Sequence, residues 1–470
     1  MRMSAITPAT LLALLCAIPV AADDQLGDLL GRFYRATAPS DQAAARKAIL
    51  ATKDLTPAKL AAAIRSVQLW EPQQTGEYEA SIRLRKGKAS EMQVWLQVPE
   101  GYDPGKAWPL VIALHGHDGK AQQMLRLTRQ ILDDRAKDFI IAAPQDLGPL
   151  GFTMPADVVA RPRNLLVALR RTFHIDSDRV FIVGYSQGSH DAWISAVMHG
   201  DCFAGIVPLA APLQLVGNDL LYEELLPNVR HVGVLFCWGA NDNLDADGKL
   251  DPAGGNAAAC RKMRQVIGKL EYDSFKGVEL ESVGHINVAP PKDLLSDLLN
   301  RRRARCPKRV RQVFRLPDQS DAYWIGAANF EGAPLPDGPL SIPVPADEDP
   351  IVAQRKWLTD RLGLLDAECK KQTIKMAARR VVDVVLLLDD ELLDLDKPVK
   401  ITRGTRTAFE GKVERDMKVM LTESARTWDF GRLPTARVVV PRTGKVKFGY
   451  AKAAKPQAKA AKRSAPSAGE

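Results

Sequence analysis

The chain has 470 residues, of which 46% are hydrophobic and 26% charged, and its formal net charge is +9. This composition excludes a mostly disordered chain, a collagen-like repeat and a disulfide-dense scaffold, since there are only six cysteines. Residues 442–470 hold eight basic residues against one acidic residue, so most of the excess charge lies at that end. The remainder of the chain is nearly neutral. The length predicts two or three domains.

The first 22 residues have the pattern of an export signal. Arg2 gives a short positive segment, residues 11–18 are apolar, and small residues precede a cleavage site after Ala22. The apolar run is shorter than the roughly 20 residues that span a bilayer, and no other run is long enough. We therefore predict a signal peptide over residues 1–22 and a secreted or periplasmic protein without a membrane span.

The predicted mature chain keeps five cysteines. Export permits disulfides, but an odd count leaves at least one thiol unpaired within a monomer. None has the CxxC spacing of a zinc site, so we expect no structural zinc. A lipoprotein anchor at Cys16 is disfavoured because leucines, not small residues, precede it. The five cysteines are Cys202, Cys237, Cys260, Cys306 and Cys369.

Residues 23–75 are rich in alanine and predict a helical N-terminal segment. Within it, Thr56 followed by Pro57 is typical of an N-cap and a first helical residue. From Gly76 two segments alternate apolar and polar side chains, as half-buried strands do. Five short apolar runs follow, and they predict central strands covered on both faces. The runs are residues 109–114, 139–143, 180–183, 204–210 and 232–237.

Helical stretches separate these runs. One of them covers residues 163–173 and carries its leucines and a phenylalanine on one side. Two antiparallel strands that lead into strand–helix alternation predict an α/β fold over residues 76–305. We expect a mixed, mostly parallel sheet with helices on both faces.

The segment 301–311 is strongly basic. No aromatic residues are interleaved with its arginines, so a nucleic-acid site is disfavoured. We expect an exposed helix end followed by a linker.

Residues 310–450 predict a small β-rich accessory domain with antiparallel pairing. Strands are expected at residues 313–316, 323–327, 381–388, 399–402, 413–419 and 436–440, a helix at 351–369 and a turn at 409–412. Residues 451–470 have too few apolar side chains to pack and predict a disordered basic tail. We expect its charge to attract anionic polymers weakly.

The segment Gly184-Tyr185-Ser186-Gln187-Gly188 has the pattern G-x-S-x-G. It stands between a buried strand and a helix-compatible segment, which is the setting that this motif requires. Only glycine fits two positions either side of the serine in so tight a turn. The pattern predicts that Ser186 is a nucleophile held clear of the sheet, beside the positive end of a helix.

A serine nucleophile needs a base, and the base needs an orienting acid. In this architecture they follow in the order Ser, acid, His. Asp242 stands at the end of the strand predicted at 232–237, where sites of open α/β sheets lie. His285 lies on a loop after the last strand. Asp245, Asp247 and Asp251 are alternatives to Asp242.

The other histidines of the body are placed less well for the base. His190 and His199 follow the serine on its own helix. His174 precedes the strand of the serine at its far end, and His231 begins a strand on the wrong edge.

A third element stabilises the oxyanion. In such sites one backbone N–H comes from the residue after the nucleophile, here Gln187, and one from a loop after an earlier strand. The loop at residues 114–119 offers His117, or Gly116 as the alternative. His115 and His117 also have a spacing open to metal binding, but no third ligand accompanies them.

These residues resemble the α/β-hydrolase superfamily over about residues 75–300. Within it the chain is similar to exported esterases of the prolyl-oligopeptidase, phospholipase/carboxylesterase and polyhydroxybutyrate-depolymerase-like groups, which share the same motifs. Residues 310–450 depart from this pattern and resemble small β domains appended to predicted hydrolases. The stretches that carry the likeness are 109–116, 175–188, 203–208, 239–242 and 284–285.

The motifs and the resemblance predict a serine hydrolase that cleaves small or polymeric carboxylic esters without a metal or organic cofactor. One alternative is a serine peptidase of the prolyl-oligopeptidase type, but such enzymes carry a large propeller domain before the hydrolase. Another is a non-catalytic surface-binding protein with a vestigial hydrolase domain, which the intact Ser186, Asp242 and His285 disfavour. No specific nucleic-acid partner is expected.

Overall fold

The computed structural model describes residues 22–84, 91–145, 159–213, 219–243, 249, 254–336 and 340–450. It divides the chain into two compact units, Met1–Leu69 and Trp70–Glu470. The predicted basic tail and all but the last residue of the predicted signal peptide lie outside the described residues. The domain boundaries proposed from the sequence stay predictions.

The first unit contains three helices, Ala22–Arg35 (α1), Pro39–Leu50 (α2) and Pro57–Ser66 (α3). The cap at the start of α3 forms as predicted: the hydroxyl of Thr56 accepts a hydrogen bond from the backbone N–H of Lys59 at 3.2 Å. Leu60 and Ile64 of α3 are fully buried. The helical prediction for this segment is therefore correct in type.

The second unit begins with an eight-stranded sheet. The strand order is β1-β2-β4-β3-β5-β6-β7-β8. β2 is antiparallel to both of its neighbours, and all the other neighbouring pairs are parallel. This confirms the predicted mixed, mostly parallel sheet. Its strands are Gly76–Arg83 (β1), Glu91–Val98 (β2), Trp108–Leu114 (β3), Ile140–Pro144 (β4), Ile175–Tyr185 (β5), Gly205–Leu209 (β6), Gly233–Gly239 (β7) and Phe275–Leu280 (β8).

Helices cover both faces of this sheet. Leu110 and Ile112 of β3 pack into one hydrophobic core, while Val111 and Ala113 pack into the other, as the period of two in a strand requires. α5 and α6 belong to the first core, and α4 and α9 to the second. The chain has the predicted α/β-hydrolase fold. The helices are Ala121–Leu132 (α4), Arg161–Thr172 (α5), Gln187–His199 (α6), Asp219–Leu225 (α7), Gly255–Gly268 (α8) and Lys292–Leu299 (α9), with short 3-10 helices at Asp133–Asp138, Gly200–Cys202 and Leu226–His231.

The rest of the second unit, residues 309–450, is here called the C-terminal β region. It forms two sheets, β10-β13-β16-β17 and β15-β14-β12-β11-β9, which share one hydrophobic core. Its strands are Arg309–Phe314 (β9), Ile325–Phe330 (β10), Gly363–Lys370 (β11), Thr373–Arg379 (β12), Val381–Leu388 (β13), Val399–Arg403 (β14), Arg406–Gly411 (β15), Ala436–Pro441 (β16) and Lys447–Phe448 (β17), and its helices are Pro317–Gln319 (3-10), Pro350–Thr359 (α10) and Met417–Thr427 (α11).

The β-rich character of this region is as predicted, but its pairing is not wholly antiparallel. β12 and β14 run parallel. Such a pair needs a crossover connection between its strands. β13, which lies between them in the chain, belongs to the other sheet and supplies that crossover.

Three local predictions in this region are wrong. The helix expected at 351–369 ends at Thr359, because from Gly363 alternate residues are buried in the core as strand β11. The strand expected at 413–419 gives way to α11, whose N-cap Asp416 accepts a hydrogen bond from Lys418 N at 2.9 Å. The turn expected at 409–412 is mostly the end of β15.

The basic segment is only partly the exposed linker that we predicted, because Arg303 within it is buried while Arg301 and Arg302 are exposed. Arg302, Arg303 and Arg305 all donate to the carboxylate of Asp178 in β5, at 3.1, 3.0 and 2.6 Å. The side chain of Arg303 is 1% exposed, and its Nη2 also donates to Asp429 at 2.8 Å. Because buried charges must be paired, Arg303 has a structural role. It joins the sheet to the C-terminal β region.

The five described cysteines have free thiols. Burial raises the pKa of Cys202 to about 11 and that of Cys237 to about 12. Such thiols are protonated and unreactive near neutral pH. Among the described helices, none is both long enough and apolar enough to cross a membrane.

Replacing Asp429 with Asn should lower the free energy of unfolding by about 3 kcal/mol at pH 7, because it leaves the buried Arg303 partly uncompensated. Burial alone would raise the pKa of Asp429, but Arg303 and Arg170 outweigh burial and hold it well below its usual range. A carboxyl of this kind stabilises the fold above its unfolded-state pKa of about 3.9. That contribution is lost as the pH falls below this value.

Urea unfolding at several pH values tests this expectation. The difference in the free energy of unfolding between the wild type and D429N should have its full size at pH 7 and shrink below about pH 4. Asp318→Asn, at an exposed position, is the matched control and should stay within about 0.5 kcal/mol of the wild type. A D429N protein with the wild-type midpoint at pH 7 would contradict a stabilising pair.

Candidate active site

Ser186 lies on a sharp turn between β5 and α6. Its backbone has φ 53° and ψ −114°, a conformation that costs energy for a residue with a side chain. A Cβ on Gly184 would lie 2.0 Å from the carbonyl oxygen of Gly188, and a Cβ on Gly188 would lie 2.0 Å from that of Leu114. Both glycines are therefore sterically required. The turn presents Ser186 at the carboxyl edge of the sheet.

The structure brings three predicted side chains together at this edge. Nε2 of His285 lies 2.9 Å from Oγ of Ser186, and Nδ1 of His285 lies 2.8 Å from Oδ2 of Asp242. Ser186 follows β5, Asp242 follows β7 and His285 follows β8, so all three lie where their strands end. Both distances are hydrogen bonds of good length. The three groups can pass a proton from the serine to the imidazole.

The loops that carry Asp242 and His285 are fastened to each other. The backbone N–H of Asn241 donates to Val283 O at 2.9 Å. A Cβ on Gly239 would lie 2.2 Å from the carbonyl oxygen of Gly284, so the two loops approach as closely as their backbones allow. The side chain of Asp242 is fully buried, while that of His285 is 28% exposed. The acid is thus shielded from water, and the base faces the opening.

Tyr185 also holds His285, and the sequence analysis did not identify this contact. The hydroxyl of Tyr185 donates to the backbone carbonyl of His285 at 2.6 Å. Tyr185 occupies a variable position of the motif, and its partner is a backbone atom 100 residues away. No local pattern in a sequence could indicate such a contact.

The predicted oxyanion loop lies beside the serine. A Cβ on Gly116 would be 3.3 Å from Cβ of Ser186, so the Gly116 backbone borders Ser186. Nδ1 of His117 lies 3.2 Å from Oε1 of Gln187, which ties the loop to the start of α6. The choice between the N–H of His117 and that of Gly116 as second donor, beside that of Gln187, stays a prediction.

Gln145, at the end of β4, positions this loop. Its side-chain oxygen accepts from Ala121 N at 3.1 Å, and its side-chain nitrogen donates to Gly119 O at 3.4 Å. Its own carbonyl lies 2.9 Å from Nε2 of His115, whose Nδ1 lies 2.7 Å from Gly116 O. Both ring nitrogens of His115 therefore lie against backbone carbonyl oxygens, those of Gly116 and Gln145. Within the described residues, no cluster of three or more metal-ligating side chains occurs.

The alternatives to Asp242 and His285 fall into two groups. Asp245, Asp247 and Asp251 lie outside the described residues. His190 lies on α6 and is buried, and burial lowers its pKa to about 4, so it is neutral near pH 7. Burial raises the pKa of its neighbour Asp191 to about 7. Neither belongs to the hydrogen-bonded chain from Ser186 to Asp242.

The loop at residues 146–157 lies outside the described residues, as do 214–218 of the loop at 212–227. Four leucines of the second loop are buried in the hydrophobic core, and Leu220 is partly buried against it. The four are Leu213, Leu221, Leu225 and Leu226. Ile286, next to His285 in the chain, is 70% exposed.

No family model and no curated protein matches the chain. Solved structures do match. A thermostable esterase is 14% identical over 48% of this chain and 63% of its own, with a TM-score of 0.37. The BES protein from Bacillus cereus is 15% identical over 46% of this chain and 94% of its own, with a TM-score of 0.35. An acetyl xylan esterase from Aspergillus awamori is 14% identical over 47% of this chain and 98% of its own, with a TM-score of 0.33. The chain thus spans 63% of the thermostable esterase. The strand order and connectivity of the sheet, not these matches, define the fold.

Gly188→Ala should lower the free energy of unfolding by at least about 2 kcal/mol, because its Cβ would collide with backbone that cannot rotate away. Gly268→Ala, also in a helix, is the control, since nothing lies within 4 Å of its Cβ. That variant should unfold at the wild-type midpoint or above it, because alanine favours a helix. Urea unfolding measures both. Equal stability of the two variants would show that the turn is not sterically closed.

Proposed function

We propose that this protein is a serine hydrolase that cleaves carboxylic esters through Ser186, His285 and Asp242. The observation that carries the proposal is the continuous hydrogen-bonded chain from Ser186 Oγ through the imidazole of His285 to the buried carboxylate of Asp242. A general structural role would require neither the strained backbone at Ser186 nor the exposure of His285 beside a buried acid.

The proposed reaction has two halves. Ser186 Oγ attacks the acyl carbon while Nε2 of His285 accepts its proton, and the alcohol leaves after receiving that proton. Water then attacks the acyl-enzyme with His285 as base again, which releases the carboxylic acid and free Ser186. Asp242 accepts the Nδ1–H of His285 throughout. It therefore holds the tautomer whose Nε2 is a base, and it stabilises the imidazolium.

The oxyanion of each tetrahedral intermediate would face two backbone donors. The N–H of Gln187 stands at the first turn of α6, where the helix dipole favours negative charge. The second donor comes from His117 or Gly116 on the loop that borders Ser186. Donors fixed in the fold need no reorganisation as charge develops, which is the main source of their catalytic effect.

The predicted alternative, a peptidase of the prolyl-oligopeptidase type, would use the same three side chains, so the substrate distinguishes the two. The exposed apolar side chain of Ile286, next to His285 in the chain, suits acyl or alcohol groups without charge. A panel of acyl chain lengths, acetylated sugars and feruloyl esters, with a proline-containing peptide beside them, would assign the substrate class.

Ser186→Ala should lower kcat/KM on a small soluble ester by at least about 10³-fold, with the thermal midpoint kept. His285→Ala should have a similar effect, and the double variant should lose little more than either single one, because the residues act as one unit. The matched control is Ser195→Ala on the same helix, where the hydroxyl donates to the Asp191 carbonyl. It should keep activity within about twofold.

Two results with the same variants would contradict the proposal. Retained activity in folded S186A would remove Ser186 as the nucleophile, and additive losses in the double variant would argue against a shared proton path. Labelling by a fluorophosphonate in the wild type but not in S186A would separate an active hydrolase from a vestigial one.

We also propose that the protein acts outside the cytoplasm, on the basis of the signal-like residues 1–22. Expression in a bacterial host with an intact export pathway should give a mature chain that begins at Asp23, because small residues precede the cleavage site. Intact-mass measurement of the purified protein tests this. A chain recovered from the cytoplasm with residues 1–22 still attached would contradict the proposal.

A further inference from the structure

A cavity lies between the α/β sheet and the C-terminal β region. It encloses about 180 Å³. Helix α5, which precedes β5, supplies one wall, together with Asp201 and Cys202, which precede β6. Tyr323 and residues around α11 supply the other wall. Because these segments lie before their strands, the cavity is at the amino edge of the sheet, opposite the candidate active site.

Arginines and carboxylates alternate in its described lining. Five arginines face four acids, and each acid already has an arginine partner. The four pairs are Asp201 with Arg432 at 2.9 Å, Asp321 with Arg426 at 3.3 Å, Glu423 with Arg426 at 2.7 Å and Asp429 with Arg303 at 2.8 Å. All four carboxylates therefore already bind an arginine. A cation entering the cavity would have to displace an arginine.

Arg170 is buried without a close carboxylate partner of its own. Its side chain is 3% exposed, and its nearest described carboxylate oxygen, on Asp429, is 3.8 Å away and already bound by Arg303. Nη1 makes a long hydrogen bond of 3.4 Å to Thr427 O. Nε and Nη2 are buried and have no hydrogen-bond partner in the described part of the chain. These two N–H groups lie on the same side of the guanidinium and form its side-on fork.

The electrostatics single out the same residue. Burial lowers the pKa of Arg170, and the neighbouring carboxylates do not make up for it. Burial acts on Arg432 and Arg426 in the same direction, but there the carboxylate partners outweigh it and the pKa is raised. Arg170 is thus a buried cation with incomplete compensation.

Tyr323 is a second unsatisfied donor in the same lining. It is 4% exposed, and its hydroxyl has no partner among the described residues. Buried hydroxyl and guanidinium groups are almost always hydrogen-bonded in folded proteins. Two such donors in one cavity therefore call for an acceptor.

We propose that this cavity binds a small oxyanion, either inorganic phosphate or a carboxylate, which accepts hydrogen bonds from Arg170 and Tyr323. A fork of two parallel N–H groups matches two oxygens of one such anion, which is why arginine recognises phosphate and carboxylate in this geometry. The anion would lie between residues of α5 and residues of the C-terminal β region. Its binding therefore stabilises their junction and does not depend on the proposed esterase activity.

The test uses the full-length protein, prepared in chloride buffer free of phosphate and carboxylates. Inorganic phosphate and acetate are titrated separately at constant ionic strength, with sodium chloride as the reference, and the thermal midpoint is followed. A ligand that binds only the native state raises that midpoint in a saturable way. We expect such a rise with at least one of the two anions, and the anion that produces it identifies the oxygen geometry.

Two variants locate the effect. Tyr323→Phe removes only the hydroxyl and should weaken the apparent affinity about tenfold, and Arg170→Lys, which keeps the charge but loses the fork, should weaken it at least as much. The control is Tyr272→Phe, whose hydroxyl donates to Pro227 O outside the cavity, and it should bind as the wild type does. The absence of any rise beyond chloride, or wild-type affinity in folded Y323F, would overturn the proposal.

Discussion

The backbone conformation of Ser186 is the constraint on which the rest of this site depends. A residue with a side chain at φ 53° is held there only if its surroundings leave no alternative, and here they do not. Gly188 meets the carbonyl of Leu114 in β3, and Gly184 meets that of Gly188, so the turn is wedged between its own strand and helix and the next strand of the sheet. The loop at residues 114–119 follows that same β3. The steric closure of the turn therefore also sets the position of Gly116 relative to Ser186.

Asp242 and His285 reach this turn through the topology of the sheet. Ser186, Asp242 and His285 are far apart in the chain, but they follow strands β5, β7 and β8 of one sheet, and parallel strands end at the same edge. Fine positioning is left to contacts between loops: the close approach of Gly239 to Gly284, and the hydroxyl of Tyr185 on the His285 carbonyl. The rigid frame thus brings the three groups near one another, and backbone contacts bring them within hydrogen-bonding distance.

Features with a local signature could be predicted from the sequence, and features made by distant contacts could not. Alternation and apolar runs predicted where strands β1 to β7 lie in the chain, and the G-x-S-x-G pattern with its flanking strand indicated Ser186. Residues 363–369 were predicted as the end of a helix because a run rich in leucine does not distinguish a strand from a helix until its partner strand is known. Arg303 was predicted to be exposed because its partners, Asp178 and Asp429, are both more than 120 residues away. Tyr185 and Gln145 were missed for the same reason, since each acts on a backbone atom of another loop.

Strand β5 runs from the junction with the C-terminal β region to the candidate active site. Near its start, Asp178 accepts hydrogen bonds from three arginines, of which Arg303 also binds Asp429 of that region, and at its end stands Ser186. Helix α6 runs back from Ser186 to the turn at Asp201, which is paired with Arg432 of that region. The strand and the helix that form the strained turn are therefore both fastened by ion pairs at their far ends. A turn that stores strain needs flanking elements that cannot shift to relieve it, because packed elements transmit displacement along their length. On this view the C-terminal β region contributes to the site at a distance, by holding both arms of the turn, although it supplies none of the three side chains at the site.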